Sequence, residues 1–197
     1  MIVDIKLNML DVLEIYKESL ILNKKVLILH GLGGSDYPHW QAKLAGVLIS
    51  QHYDVSFPSF PSRDNPQLKE WKEYLKKEIN HFQPDIVVCH SLANVLWFHS
   101  CDELDISLEK LMLVAPVSRS RVVEAASTFY PYPIAKDLKA KEIIMIASTN
   151  DPYMSEDEAL DLKEKLNVEI NVLRNAGHIN ADSGFGSIDF ALDWLTK

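Results

Sequence analysis

From Lys25 to the C-terminus, short apolar runs alternate about six times with stretches of helical period. This rhythm constrains the fold more than any other feature of the chain. An apolar run of four to six residues bounded by turn signals is too short for a buried helix. It has the right length for a strand covered on both faces. Residues 26–29, 53–57, 85–89, 111–115, 142–147 and 168–173 read as six such strands. Between them, Ser35 or Asp36 is expected to cap a helix with Pro38 in its first turn, and Trp40, Leu44, Val47 and Leu48 on its inner face. Asp64 or Asn65 is expected to cap a second, with Pro66 at its first position and Leu68, Trp71, Leu75 and Ile79 inward. A third helix starts right after Ser91, Ser155 and Glu158 form a capping box for a fourth, and Ser187 begins a last one. The expected fold is an α/β sandwich of three layers with a mostly parallel sheet. Right-handed crossovers put all strand C-termini on one edge, and ligands bind along that edge.

The length of 197 residues suits one domain, expected over residues 25–197. Residues 1–24 do not follow the rhythm and read as an N-terminal appendage, in which Leu10, Leu13, Tyr16 and Lys17 allow a short helix. With 20 Lys and Arg against 28 Asp and Glu the net charge is −8, which argues against nucleic acid as a partner. No apolar run approaches the roughly 20 residues that span a bilayer, so no membrane span is expected. Asp4 precedes every basic residue and no clean apolar core follows, so a secretory signal is not expected and the chain reads as cytoplasmic. Cys89 and Cys101 sit in no Cys/His cluster, and His90 has no metal-spaced partner, so no metal or cofactor is expected.

The strand ends carry the chemistry. The third strand runs into Cys89-His90-Ser91-Leu92-Ala93, which is similar to the G-x-S-x-G nucleophile elbow. In that motif a serine stands on a sharp strand-to-helix turn with small residues two positions to either side. Alone, such a serine is more often a simple helix cap. The fifth strand ends in Asn150-Asp151-Pro152 and the sixth in Gly177-His178. Ser91, Asp151 and His178 thus follow strands three, five and six, in the chain order Ser…Asp…His of the α/β-hydrolases. After the first strand, His30-Gly31-Leu32-Gly33-Gly34-Ser35 makes a glycine-rich turn without the lysine of a phosphate loop. The backbone N–H groups of Leu32 and Leu92 are the expected oxyanion hole.

These segments resemble a family of small serine hydrolases, which includes the retinoblastoma-binding serine hydrolase and its YdeN-type bacterial relatives. The resemblance rests on His30-Gly31, His39-Trp40-Gln41, the elbow at Ser91, Val114-Ala115-Pro116, the segment from Ala147 to Tyr153 and the segment from Gly177 to Gly186. The family pattern has glycines where Cys89 and Ala93 stand and does not usually carry residues 1–24. The resemblance implies a compact α/β-hydrolase without a large cap domain, with Ser91, Asp151 and His178 as its triad. Some members are described as protein-binding.

The expected activity is hydrolysis of a carboxylic ester, thioester or acyl-amide bond in a small molecule or acyl-peptide, through an acyl-enzyme. His39, Tyr153 and Phe129 are expected at the substrate pocket, with Tyr130, Pro131, Tyr132 and Pro133 of the same stretch as further candidates for an apolar acyl wall. Trp40 matches the inner period of its helix and reads as core. The rival reading is a catalytically weak module on the same fold that binds a protein partner.

Overall fold

The computed structural model describes Met9 and residues 24–197. The helix expected within the N-terminal appendage lies outside the described residues. Strands β1 (Lys25–Leu29), β2 (Asp54–Ser56), β3 (Ile86–His90), β4 (Leu108–Val114), β5 (Ala140–Ser148) and β6 (Glu169–Leu173) form one sheet in the order β2-β1-β3-β4-β5-β6. Every pairing is parallel. Helices α1 (Trp40–Ser50), α2 (Leu68–Phe82), α3 (Leu92–Ser100), α4 (Glu156–Leu166) and α5 (Asp189–Leu195) follow β1, β2, β3, β5 and β6. Among the described residues, the β4–β5 connection carries a short 3₁₀ segment, Glu124–Phe129.

The central strands are buried on both faces because their residues split by period two between two cores. Leu27, Leu29, Val87, Cys89, Leu111 and Leu113 face Trp71, Leu75, Ile79 and Leu96 of α2 and α3 and Leu162 of α4. Val26, Ile28, Val88, Met112 and Val114 face Trp40, Leu44 and Leu48 of α1 and Ala191 and Leu195 of α5. Among the described residues no helix is long and apolar enough to cross a membrane.

Two expected caps are corrected. Helix α1 starts at Trp40, and its N-cap is His39, whose ring accepts from the Gln41 N–H. Asp36 instead pairs with Arg63 at 2.7 Å, and Pro38 lies outside the helix. Helix α2 is capped neither by Asp64 nor by Asn65. It begins at Leu68, after Pro66, and the Leu68 N–H donates to Thr128 Oγ1 at 3.1 Å. The orphan donor of that helix end is satisfied by a distant loop, a partner that no local pattern encodes. Ser155 and Glu158 make the reciprocal capping box expected for α4. The last helix starts at Asp189, with Ser187 Oγ accepting from its N–H at 3.2 Å.

Candidate active site

From β1 the chain goes out to β2 and then returns past β1 to β3 on its other side, so the C-terminal ends of β1 and β3 flank the switch point of the sheet. In open parallel sheets that switch point is a crevice. Ser91 stands over it, immediately after β3, with φ 55° and ψ −119°. That is a strained conformation for a residue with a side chain, and such strain persists only where its surroundings over-determine it. Here they do. The Ser91 N–H donates to the Val114 carbonyl at 2.9 Å. Asn94, fully buried in the first turn of α3, donates from Nδ2 to both the Ser91 and Val114 carbonyls, each at 2.9 Å. Cys89 and Ala93 are both fully buried, so a Cβ is accommodated at each place while the turn keeps its shape.

The serine needs room on its other side, and Gly31 supplies it. A Cβ at Gly31 would lie 2.8 Å from Ser91 Cβ and 3.2 Å from Ser91 Oγ. His30 fixes the backbone there: its Nδ1–H donates to the Gly31 carbonyl at 2.6 Å while its Nε2 accepts from the Phe60 N–H at 2.9 Å. That pairing needs a neutral ring, and burial lowers the His30 pKa accordingly. Leu32 follows and lines the cavity, as does Leu92. Leu92 is the first residue of α3, so its N–H has no intrahelical acceptor. The Leu32 N–H has no partner among the described residues.

Ser91, His178 and Asp151 meet in one hydrogen-bonded chain. His178 Nε2 lies 2.7 Å from Ser91 Oγ, and His178 Nδ1 lies 2.8 Å from Asp151 Oδ2 and 3.0 Å from Oδ1. All three side chains are nearly buried. The loops after β5 and β6 are laced together to bring this about. Thr149 Oγ1 accepts from the Asn175 N–H, Ser148 Oγ from that of Ala176, and Asn150 Oδ1 from that of Gly177. Asp151 Oδ1 also accepts from the Tyr153 N–H at 2.8 Å. The far side of the His178 loop is pinned at two successive carbonyls. His90 Nε2 donates to His178 at 3.1 Å, and the Trp40 indole donates to Ile179 at 2.8 Å. Gly177 and Ile179 both hold positive φ in this tight turn, and a Cβ at Gly177 would collide with Ser183.

A cavity of about 350 Å³ opens above Ser91. Its size is at the small end of the ~300–1,000 Å³ range of ligand pockets. Its lining is mixed: Leu32, Leu92, Val117, Val123, Ala126 and Tyr130 are apolar or aromatic, and Ser35, Asp36, His39, Asn180 and Asp182 are polar. Burial, aided by nearby His178 and opposed by Asp182, pushes the His39 pKa down to about 4. Burial also holds His90 well below its ordinary value. Among the described residues no cluster of three or more metal-ligating side chains occurs.

Of the expected pocket residues, His39 and Tyr153 line the cavity, with the Tyr153 ring 4.5 Å from that of His178. Phe129 does not. It is fully buried and packs edge-on against Trp71 at 5.4 Å. Tyr130 stands at the cavity instead, because the chain turns extended after the 3₁₀ segment and successive side chains then point opposite ways. Sequence reasoning missed Asn94, the support from His90, and the Ser148-Thr149-Asn150 ladder. A polar run directly before Asp151 was the available signal for the last.

A parallel sheet whose switch point lies beneath a strained serine at the end of its third strand is α/β-hydrolase architecture, and solved structures of that class share it. Within the class the family described as Serine hydrolase matches residues 26–197, and this chain belongs to it and is a hydrolase. The ydeN gene product of B. subtilis superposes with a TM-score of 0.75 at 24% identity, over 88% of this chain and 97% of that one. A YdeN-like hydrolase from Pectobacterium atrosepticum gives 0.75 at 25% identity, over 93% and 94%. The α/β hydrolase MGS-MChE2, from a lagoon-sediment metagenome, shares the fold with a TM-score of 0.68 at 17% identity, over 88% and 90%. No curated protein matches the chain.

Proposed function

We propose that this hydrolase cleaves small carboxylic esters or thioesters by acyl transfer, with Ser91 as nucleophile, His178 as general base and acid, and Asp151 as the group that orients His178. The observation that carries the reading is the unbroken chain from Ser91 Oγ through His178 to Asp151, with contacts of 2.7 and 2.8 Å. Ser91 Oγ bonds to the substrate carbonyl carbon as its proton passes to His178 Nε2. Asp151 holds the proton on Nδ1 and stabilises the imidazolium. The N–H groups of Leu32 and Leu92 receive the oxyanion, an interaction typically worth about 2.7–4 kcal/mol per donor. The carbon–oxygen or carbon–sulfur bond then breaks, and the leaving group departs with the proton from His178. Water, deprotonated by His178, releases the acid and restores Ser91. The apolar lining residues take the acyl chain, and the cavity of about 350 Å³ favours a short one.

Intact mass after incubation with a fluorophosphonate probe tests this. The expected result is one adduct, absent in Ser91→Ala. Asp151→Asn is expected to lower ester turnover by about 10⁴-fold, since the imidazole then loses its tautomer control. Folded protein that takes no adduct overturns the reading and turns attention to the rival, a protein-binding module.

A further inference from the structure

We infer that His39 donates a hydrogen bond from Nε2 to the alcohol half of the substrate, so that the enzyme selects small esters whose alcohol carries a hydroxyl or ether oxygen. The inference rests on the acyl-transfer reading of Ser91. His39 is the N-cap of α1, and its Nδ1 accepts from the Gln41 N–H at 3.2 Å. A ring nitrogen that accepts a hydrogen bond carries no proton, so the neutral imidazole holds its one proton on Nε2. Nε2 has no acceptor among the described residues, yet the side chain lines the cavity. The helix cap therefore fixes a tautomer that leaves a free donor on a cavity-lining side chain. With its pKa pushed down to about 4 by burial, His39 stays neutral at ordinary working pH.

The side of the cavity follows from the chemistry. His178 hands its proton to the departing alcohol, so the alcohol lies next to His178. His39 lines the cavity together with Asn180 and Asp182, which follow His178 in its loop; His178 and Asp182 are near enough to act on the His39 charge, and the His39 and His178 rings both pack against His90, at 4.9 and 5.3 Å. A purely apolar alcohol would bury the His39 N–H unpaired. An alcohol with a second oxygen satisfies it, and an unpaired buried polar group is the costlier outcome.

The test compares 2-hydroxyethyl butyrate with n-propyl butyrate, which have the same acyl group and alcohols of nearly the same size. Wild-type enzyme is expected to show the higher kcat/KM with the hydroxyethyl ester. In His39→Ser, the serine keeps a good N-cap but cannot reach the cavity. That variant is expected to lower the hydroxyethyl-to-propyl ratio by roughly 3- to 10-fold, the effect of one neutral hydrogen bond. A role confined to capping would be preserved by the serine and leave the ratio unmoved, which overturns the inference. A wild-type preference for the propyl ester overturns it without any variant. Fluorophosphonate labelling of the same preparations separates the two levels. Labelling with an unmoved ratio sinks this inference alone, whereas failure to label at Ser91 sinks the acyl-transfer reading and this inference with it.

Discussion

Gly31 is a glycine because Ser91 stands where its side chain would go. The added methyl of Gly31→Ala would meet Ser91 Cβ at 2.8 Å, closer than such atoms approach, and its relief must come from the strained serine or the loop that carries Leu32. A displacement near 1 Å in a catalytic group costs on the order of 10²-fold in rate. Gly31→Ala is therefore expected to slow fluorophosphonate labelling of Ser91 by about that factor, and an unchanged labelling rate would refute the close-approach argument. Single residues of this kind were only partly legible beforehand. The small residues at positions 89 and 93 could be read as permissive of an elbow, but the reach of Asn94 to two carbonyls depends on β4 lying beside β3, which the local sequence does not state.

Among the helices, α1 shows how local signals and tertiary partners divide the work. Its inner face, Trp40, Leu44 and Leu48, follows the expected period and is fully buried. Its start lies later than the local cap signals suggest, because Asp36 is held by Arg63 and the His39 ring takes the cap. Its outer face is unconstrained. Gly46 is exposed, and a Cβ there would have nothing within 4 Å. Because glycine in a helix interior costs roughly 0.5–1 kcal/mol relative to alanine, Gly46→Ala is expected to stabilise the protein by about that amount. The check is the midpoint of a urea melt; an unchanged or lower midpoint would mean that this side of α1 is not free. Helix α4 was the most legible element, since its capping box is a local device complete within four residues.

Across the whole molecule, buried histidines link stability to pH. Burial lowers the pKa of His30, His39, His90 and His99 in the folded protein. Below the ordinary value of about 6.5 the unfolded chain therefore binds more protons than the folded one, and stability falls as pH falls. This contribution is fully present above about 6.5 and, for His39, is lost until about 4. Each such group contributes at most about 1.4 kcal/mol per pH unit within its window. His30 adds a structural reason, since protonating Nε2 breaks its bond from the Phe60 N–H beside the Gly31 loop. Glu158 acts lower. Hydrogen bonds, chiefly from Ser118, push its pKa down to about 2, so its contribution is lost only below the ordinary carboxylate range. The melting temperature is expected to drop by more than about 5 °C between pH 7 and pH 5, at roughly 2–4 °C per kcal/mol for a chain of this size. A flat profile over that interval would show that the histidines are not held neutral.

By itself the sequence determined the parallel α/β sandwich, because apolar period and turn chemistry are local properties that survive in any arrangement of the elements. It also put Ser91, Asp151 and His178 at strand ends, since a parallel sheet with right-handed crossovers brings every such end to one edge. What only the tertiary structure decided is everything that depends on which elements become neighbours. That includes the cap of α2 by Thr128, the pinning of the His178 loop by His90 and Trp40, and the exchange of Phe129 for Tyr130 at the cavity. It includes too the mixed lining of the cavity above the serine. These rest on contacts between segments far apart in the chain, whose partners are fixed by packing rather than by any local preference.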